Sequence, residues 1–145
     1  MPSQRALLEQ IDADRVRAAI ARAEQGTSGE IRVSVSRFFL GDLDTASRRT
    51  FVRLGMARTT DRNGVLIFVV PSRRRVRVLG DQGIHERVGQ SFWDDVAREI
   101  ADNFRAGRFT EGLEAGVQTI GRALAVHFPS ADTNPNELAD EVDLA

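Results

Sequence analysis

Hydrophobic positions change period several times along the chain, and each change marks an element. Val16 and Ile20 share one face of the stretch from Ala13 to Gln25. Asp12 can cap its start and Gly26 can end it, which predicts a helix. Leu7, Leu8 and Ile11 recur at similar spacing just before, as a separate short helix or a continuation. In GEIRVSVSRFF, Ile31, Val33 and Val35 alternate with Arg32, Ser34 and Ser36, the pattern of a strand with one buried face. In GDLDTASRRTFVRLGMART, Phe51 and Leu54 mark an inner helix face and Arg48, Arg49 and Arg53 an outer one, with Asp42 or Asp44 as cap. NGVLIFVV is a continuous apolar run, the mark of a central strand. After the short turn PSRR, RVRVLG alternates again. Two strands this close form an antiparallel hairpin.

Two helices follow. Ser91 can cap the first, whose inner stripe is Phe92, Val96, Ile100 and Phe104, and Gly107 ends it. Thr110 opens the second, with Leu113, Val117, Ile120 and Leu124 inward and Pro129 beyond its end. Gly112, Gly116 and Gly121 cost helix propensity there, which implies close packing. The predicted order is α-β-α-β-β-α-α. A strand–helix–strand unit wants a parallel, right-handed crossover, and the hairpin adds an antiparallel strand. The expected fold is an α/β single-domain sandwich: a small mixed sheet with helices on both faces. Residues 1–28 form its N-terminal helical segment, 29–129 its core, and 130–145 an acidic C-terminal tail.

Composition narrows the chemistry. At 145 residues the chain suits one domain with a proper core. It has no Cys, which excludes disulfides, thiolate metal sites and Cys nucleophiles. All 20 basic residues are arginine, so Schiff-base and P-loop lysine chemistry is excluded too. A net charge of −1 gives no nucleic-acid signal, no apolar run has the length of a membrane span, and MPSQRALLEQIDADR carries charges too early for a secretory signal. A cytoplasmic protein is expected.

Topology then places residues together. If the first two strands are parallel and the third antiparallel, the starts of the first two and the end of the third share one rim. Glu30 opens the first strand, Asp61 and Asn63 precede the second, Gly80 and Asp81 close the third, and Asp94 and Asp95 lie early in the next helix. Several carboxylate and amide oxygens converging from different loops are what Ca²⁺ or Mg²⁺ needs. The bland readings are that Asp94 and Asp95 serve the helix dipole, Ser91 and Asp94 a capping box, Glu30 an arginine and Asp81 a turn. His85 is a weak candidate acid–base group, more often structural beside an apolar residue. Trp93 reads as core, or as a lid over the Gly83–Gly89 turn. The opposite rim gathers Arg37, Arg73, Arg74 and Arg75.

Three further motifs are weaker. DLDT at Asp42–Thr45 departs from the DxDxT nucleophile loop of haloacid-type phosphatases and reads as a helix cap. DTNPNELADEVD places Asp132, Asn134 and Asn136 at Ca²⁺-loop offsets, but Glu137 stands where the turn wants Gly. It reads as tail. That tail carries Asp132, Glu137, Asp140, Glu141 and Asp143 and no basic residue, so the body before it is net positive. The tail is expected to fold back on an arginine-bearing face.

NGVLIFVV, then RVRVLGDQGIHERVGQSFW, then FRAGRFTEGLEAGVQTIGRAL resembles the TPM-domain family in order and spacing, over roughly Gly29 to Phe128. The tail NELADEV resembles stand-alone bacterial members. The resemblance implies an α/β sandwich and a link to divalent-metal binding. One chloroplast lumenal relative is associated with acid phosphatase activity, and many relatives are secreted or membrane-anchored. The family's GxGxE loop is replaced here by GDQGIH. His85 falls where the acidic residue would be, and Asp81 becomes the substitute oxygen donor.

Three functions follow. The leading one is a TPM domain binding a divalent cation, Ca²⁺ or Mg²⁺, through Asp81, Asp61, Glu30, Asp94 and Asp95, in a binding or regulatory role rather than as an enzyme. The second is a metal-assisted phosphatase with Asp81 or His85 as base and an arginine on the phosphate. The third is a module meeting an acidic protein partner, or nucleic acid, through the arginine-rich hairpin Arg73–Arg77.

Overall fold

The computed structural model describes residues 3–37, 41–130 and 142–143. Two N-terminal helices, α1 (Gln4–Gln10) and α2 (Ala13–Gln25), lead to β1 (Glu30–Val35). Helix α3 (Leu43–Arg53) carries the chain to β2 (Gly64–Val70), which turns into β3 (Arg75–Gly80). Three helices follow, α4 (Gln82–Val88), α5 (Gln90–Arg105) and α6 (Phe109–His127), and a short β4 (Val142–Asp143) completes the sheet. Strand order is β3-β2-β1-β4. β1 is parallel to both neighbours, and β2 and β3 form the antiparallel hairpin. The α/β fold with a mixed sheet is therefore as the periodicity predicts.

The two sheet faces are unequal. Ile31, Val33 and Val35 join Val65, Ile67 and Val69 in the main core, under α2, α5 and α6. On the other face Leu66, Phe68 and Val70 meet Phe51 and Met56 in a smaller cluster under α3. Gly116 lets α6 settle on Ile100 of α5, since a Cβ there would meet the Ile100 side chain at 2.6 Å. The predicted close packing has this cause.

Several expectations need correction. β1 does not have one buried face: all six of its residues are buried, Arg32 and Ser34 included. A buried guanidinium must be paired. Arg32 donates to Glu24 at 3.0 Å and Glu30 at 3.2 Å, and also to the Ile31 carbonyl. The turn expected at GDQGIHERVG is helix α4, with Asp81 at its N-cap. α5 begins at Gln90 behind Gly89 (φ +80°) with no side-chain cap, so Ser91 and Asp94 form no capping box and Asp94 and Asp95 lie past the first turn. Thr110 sits just inside α6, where its hydroxyl accepts the Asp12 N–H at 3.0 Å and ties the starts of α2 and α6 together.

Part of the tail is in place. Val142 and Asp143 pair with Val33 and Ser34 of β1, and Asp143 meets Arg53 of α3 at 2.7 Å. These two residues do fold back on an arginine-bearing face. The Ca²⁺-loop offsets at Asp132, Asn134 and Asn136 lie outside the described residues.

Candidate functional site

The strand register puts Glu30 opposite Gly64, and Val65 opposite Gly80, so the starts of β1 and β2 and the end of β3 do share a rim. The turn before β2 holds that rim. The Arg62 N–H donates to the Thr59 carbonyl at 3.2 Å, with Arg62 in the left-handed region at φ +52°. The Asn63 N–H then donates to the Thr59 hydroxyl at 3.1 Å. Helix α4 presses on this turn: Gly83 N–H donates to the Arg62 carbonyl at 2.8 Å, and a Cβ on Gly83 would overlap the Asp61 and Arg62 carbonyl oxygens. Gly80 plays a similar part beside Trp93, whose indole ring occupies the space a side chain would need.

The predicted ligands meet different fates on this frame. Asp81 is gripped by Arg62 through two hydrogen bonds, Nε at 2.6 Å and Nη2 at 2.9 Å, and also accepts the Gln82 N–H at 2.8 Å. The hydrogen bonds to Asp81, then its charge, hold the Arg62 guanidinium above its ordinary pKa. Glu30 is committed to buried Arg32. Asp94 accepts from Gln90 at 3.0 Å and Asp95 pairs with Arg98 at 2.9 Å, both along the exposed surface of α5. Among the described residues no three His, Asp or Glu side chains come together as a metal-holding group. The five carboxylates are thus not a preassembled cation cage.

Asp61 differs. It is exposed, and among the described residues its carboxylate accepts one hydrogen bond, from the Ser28 hydroxyl at 3.2 Å. Ser28 also accepts from Asn63 Nδ2 at 3.0 Å. Asn63 is 1% exposed, and its Oδ1 is a buried acceptor with no hydrogen-bond donor among the described residues. Such an atom carries a desolvation cost of about 1–3 kcal/mol. A carboxylate, a hydroxyl and the side-chain amide of Asn63 therefore share one corner. Ser28 and Arg62 are the residues sequence reasoning did not weigh, whereas the position of Asn63 before the second strand already puts it on this rim. The Asp-Arg-Asn-Gly turn was the available signal, because Asn and Gly flag a reversal that brings its neighbours to the rim.

His85 is positioned by Trp93, whose indole N–H donates to His85 Nδ1 at 3.0 Å. Indole is only a donor, so Nδ1 is the acceptor and the ring proton sits on Nε2. Trp93 is core, 1% exposed, as one sequence reading has it. His85, Asp81, Arg62, Arg48 and Gln90 line a groove of about 460 Å³ floored by Phe51 and Leu79. A larger cavity of about 660 Å³ lies between α2 and α6, lined by small residues such as Ala19, Ala23 and Gly121 and by polar ones that include Glu111 and Glu114, which meet Arg15. None of the predicted site residues lines it.

At the basic rim, Arg37 donates to Gln4 at 3.0 Å and Arg77 pairs with Asp44, while Arg74 and Arg75 are exposed. No helix among the described residues is long and apolar enough to cross a membrane.

The family model of the TPM domain matches residues 3–123. The chain belongs to the TPM-domain family. The BA42 protein of the psychrophilic bacterium Bizionia argentinensis is similar at 34% identity, with 92% of each chain covered and a TM-score of 0.85. The N-terminal domain of a P. gingivalis protein shares the fold at 21% identity, covering 79% of this chain and 76% of its own, with a TM-score of 0.63. A search of curated proteins finds no match. In this TPM domain the family match begins at Ser3, just before α1, and ends inside α6, so it takes in the whole rim, α2, α5 and most of α6.

Proposed function

We propose that this TPM domain is a binding module, and that its ligand is a divalent cation taken at the Ser28–Asp61–Asn63 corner. The observation that carries the reading is the exposed Asp61 carboxylate, which among the described residues meets no arginine and accepts only the Ser28 hydroxyl, itself held by the buried Asn63 amide. Ca²⁺ in a protein cage takes roughly six to eight oxygens, whereas Mg²⁺ keeps several waters and is held by one or two carboxylates. One carboxylate, a hydroxyl and a side-chain amide fit the hydrated ion better, with weak affinity. Asp81 and Glu30 act here as the anchors of Arg62 and Arg32, which hold the rim in shape. The role is binding or regulation rather than turnover. MgCl₂ titration followed by amide chemical shifts tests it. Saturable shifts at Ser28, Asp61 and Asn63, absent in Asp61→Asn, are expected. No shift at these amides at millimolar Mg²⁺ removes the reading.

A second reading has its own observation: Asp81, Arg62 and His85 line one groove, with the His85 Nε2–H as a donor. This supports binding of an anion such as a phosphate ester, the arrangement a phosphatase-like hydrolase would use. Arg62 would bind the phosphoryl oxygens and His85 would donate to them. Aryl phosphate hydrolysis that persists through purification and is lost in His85→Phe, with the fold intact, favours it. Hydrolysis unchanged by that substitution assigns the activity elsewhere.

A further inference from the structure

The outer edge of β1 is closed in an unusual way. Below β4 the Ile31 N–H donates to the Glu24 carboxylate at 2.8 Å. Above it the Val35 carbonyl accepts from Gln4 Nε2 at 2.7 Å. Side chains from α2 and α1 thus satisfy the edge on either side of the Val33–Ser34 step, where Val142 and Asp143 pair in parallel. An exposed strand edge is a template for another strand, and native proteins cover it. Among the described residues, the cover at the central step is Val142 and Asp143.

That step reads side chains as well as backbone. Val142 is buried and joins the main apolar cluster. Asp143 falls on the opposite face, where Ser34 Oγ donates to it at 3.0 Å and Arg53 Nη2 at 2.7 Å. The seat therefore selects an apolar residue followed by Asp, in extended form. Hydrogen bonding by Asp143 raises the Arg53 pKa. Arg53 is half exposed, so this ion pair holds weakly in water.

We infer that the Val33–Ser34 edge of β1, with Arg53, is a docking seat for an extended segment of a partner protein bearing an apolar–Asp pair, and that Val142–Asp143 occupy it in cis. The occupant is a partner rather than a second copy of this chain. A second copy's Val142–Asp143 makes the same contacts that the cis pair already makes, at the added cost of association. A partner segment displaces the cis pair when its residues fit the apolar pocket and Arg53 better. The inference stands independently of the cation corner, which lies before β1 and β2.

The test uses the full chain with Val142→Ser and Asp143→Ala, which vacates the seat, and a fluorescent peptide of sequence LADEVDLA as probe. Anisotropy should show the vacated chain binding the peptide at least about tenfold more tightly than the wild-type chain, which its own segment blocks. Adding Arg53→Ala, or replacing the peptide's DEVD by DEVN, should each cost about fivefold or more. A folded vacated chain that binds no peptide, or binds regardless of Arg53 and the Asp, overturns the inference. If the double variant does not fold, Asp143→Ala alone should give the same ranking. A wild-type dimer in light scattering that Val142→Ser dissolves would assign the seat to a second copy and overturn the partner reading.

Discussion

Asp61 and Asp81 stand on the same rim, one before β2 and one after β3, and their surroundings differ in every respect. Asp81 is buried, caps α4 and holds Arg62 in a two-pronged grip. Asp61 is exposed and accepts only a serine hydroxyl among the described residues. The difference teaches that a carboxylate at the right end of a sheet is not yet a ligand. In a chain whose basic residues are all arginine, the planar fork competes for each acid with excellent geometry. On this rim, what remains available for a cation is the acid that no fork reaches among the described residues, Asp61.

The largest effect should come from moving the ground both acids share. Gly83→Ala puts a Cβ into the Asp61 and Arg62 carbonyl oxygens. It should lower stability by about 2–3 kcal/mol in urea unfolding and blunt the Mg²⁺ response, because the turn is displaced. Retained stability would mean that α4 shifts freely. Next comes Asp81→Ala, which removes the α4 cap and leaves a turn without its anchor. A loss of about 2 kcal/mol is expected, with Mg²⁺ shifts at Ser28 and Asn63 preserved. If those shifts vanish in a folded Asp81→Ala chain, Asp81 is a ligand and the contrast with Asp61 fails. Asp61→Asn, in turn, should change stability by less than about 0.5 kcal/mol while abolishing the Mg²⁺ response.

The smallest effect sharpens the contrast from outside the rim. Asp42 is an exposed acid that caps α3. The Thr45 hydroxyl first, then the Asp44 N–H, hold its carboxyl below the ordinary value of 3.8. A depressed acid contributes stability above its unfolded-state pKa and loses it as pH falls through the folded-state value. The α3 cap should therefore survive the pH at which an ordinary carboxyl protonates and be lost only further below it, read at the Asp44 and Thr45 amides. Titration at the ordinary value would remove the cap's contribution.

Much of the fold was legible, and for a physical reason. Helix α2 runs from Ala13 to Gln25 as its caps and period predict, because Asp12 and Gly26 act locally. The shared rim follows from strand direction, which connection length dictates. The resemblance over Gly29 to Phe128 falls largely within the TPM-domain match at 3–123. What was not legible is tertiary. Arg62 finds Asp81 across 19 positions, and Arg32 finds Glu24 across a strand entry. Neither pairing leaves a mark in local spacing. Helix α4 hid because it is seven residues long, begins beside a glycine and buries only Ile84, so it read as a turn. Arg32 and Ser34 looked like a solvent face because alternation cannot tell water from acids brought in by α2 and β4.

Mn²⁺, which replaces Mg²⁺ on oxygen ligands and broadens nearby resonances, gives the most direct test of the cation corner. In the wild-type chain at low Mn²⁺, broadening should centre on the Ser28, Asp61 and Asn63 amides, recede on adding Mg²⁺ and disappear in Asp61→Asn. Broadening centred on Asp94 and Asp95, or unchanged by Asp61→Asn, would contradict it.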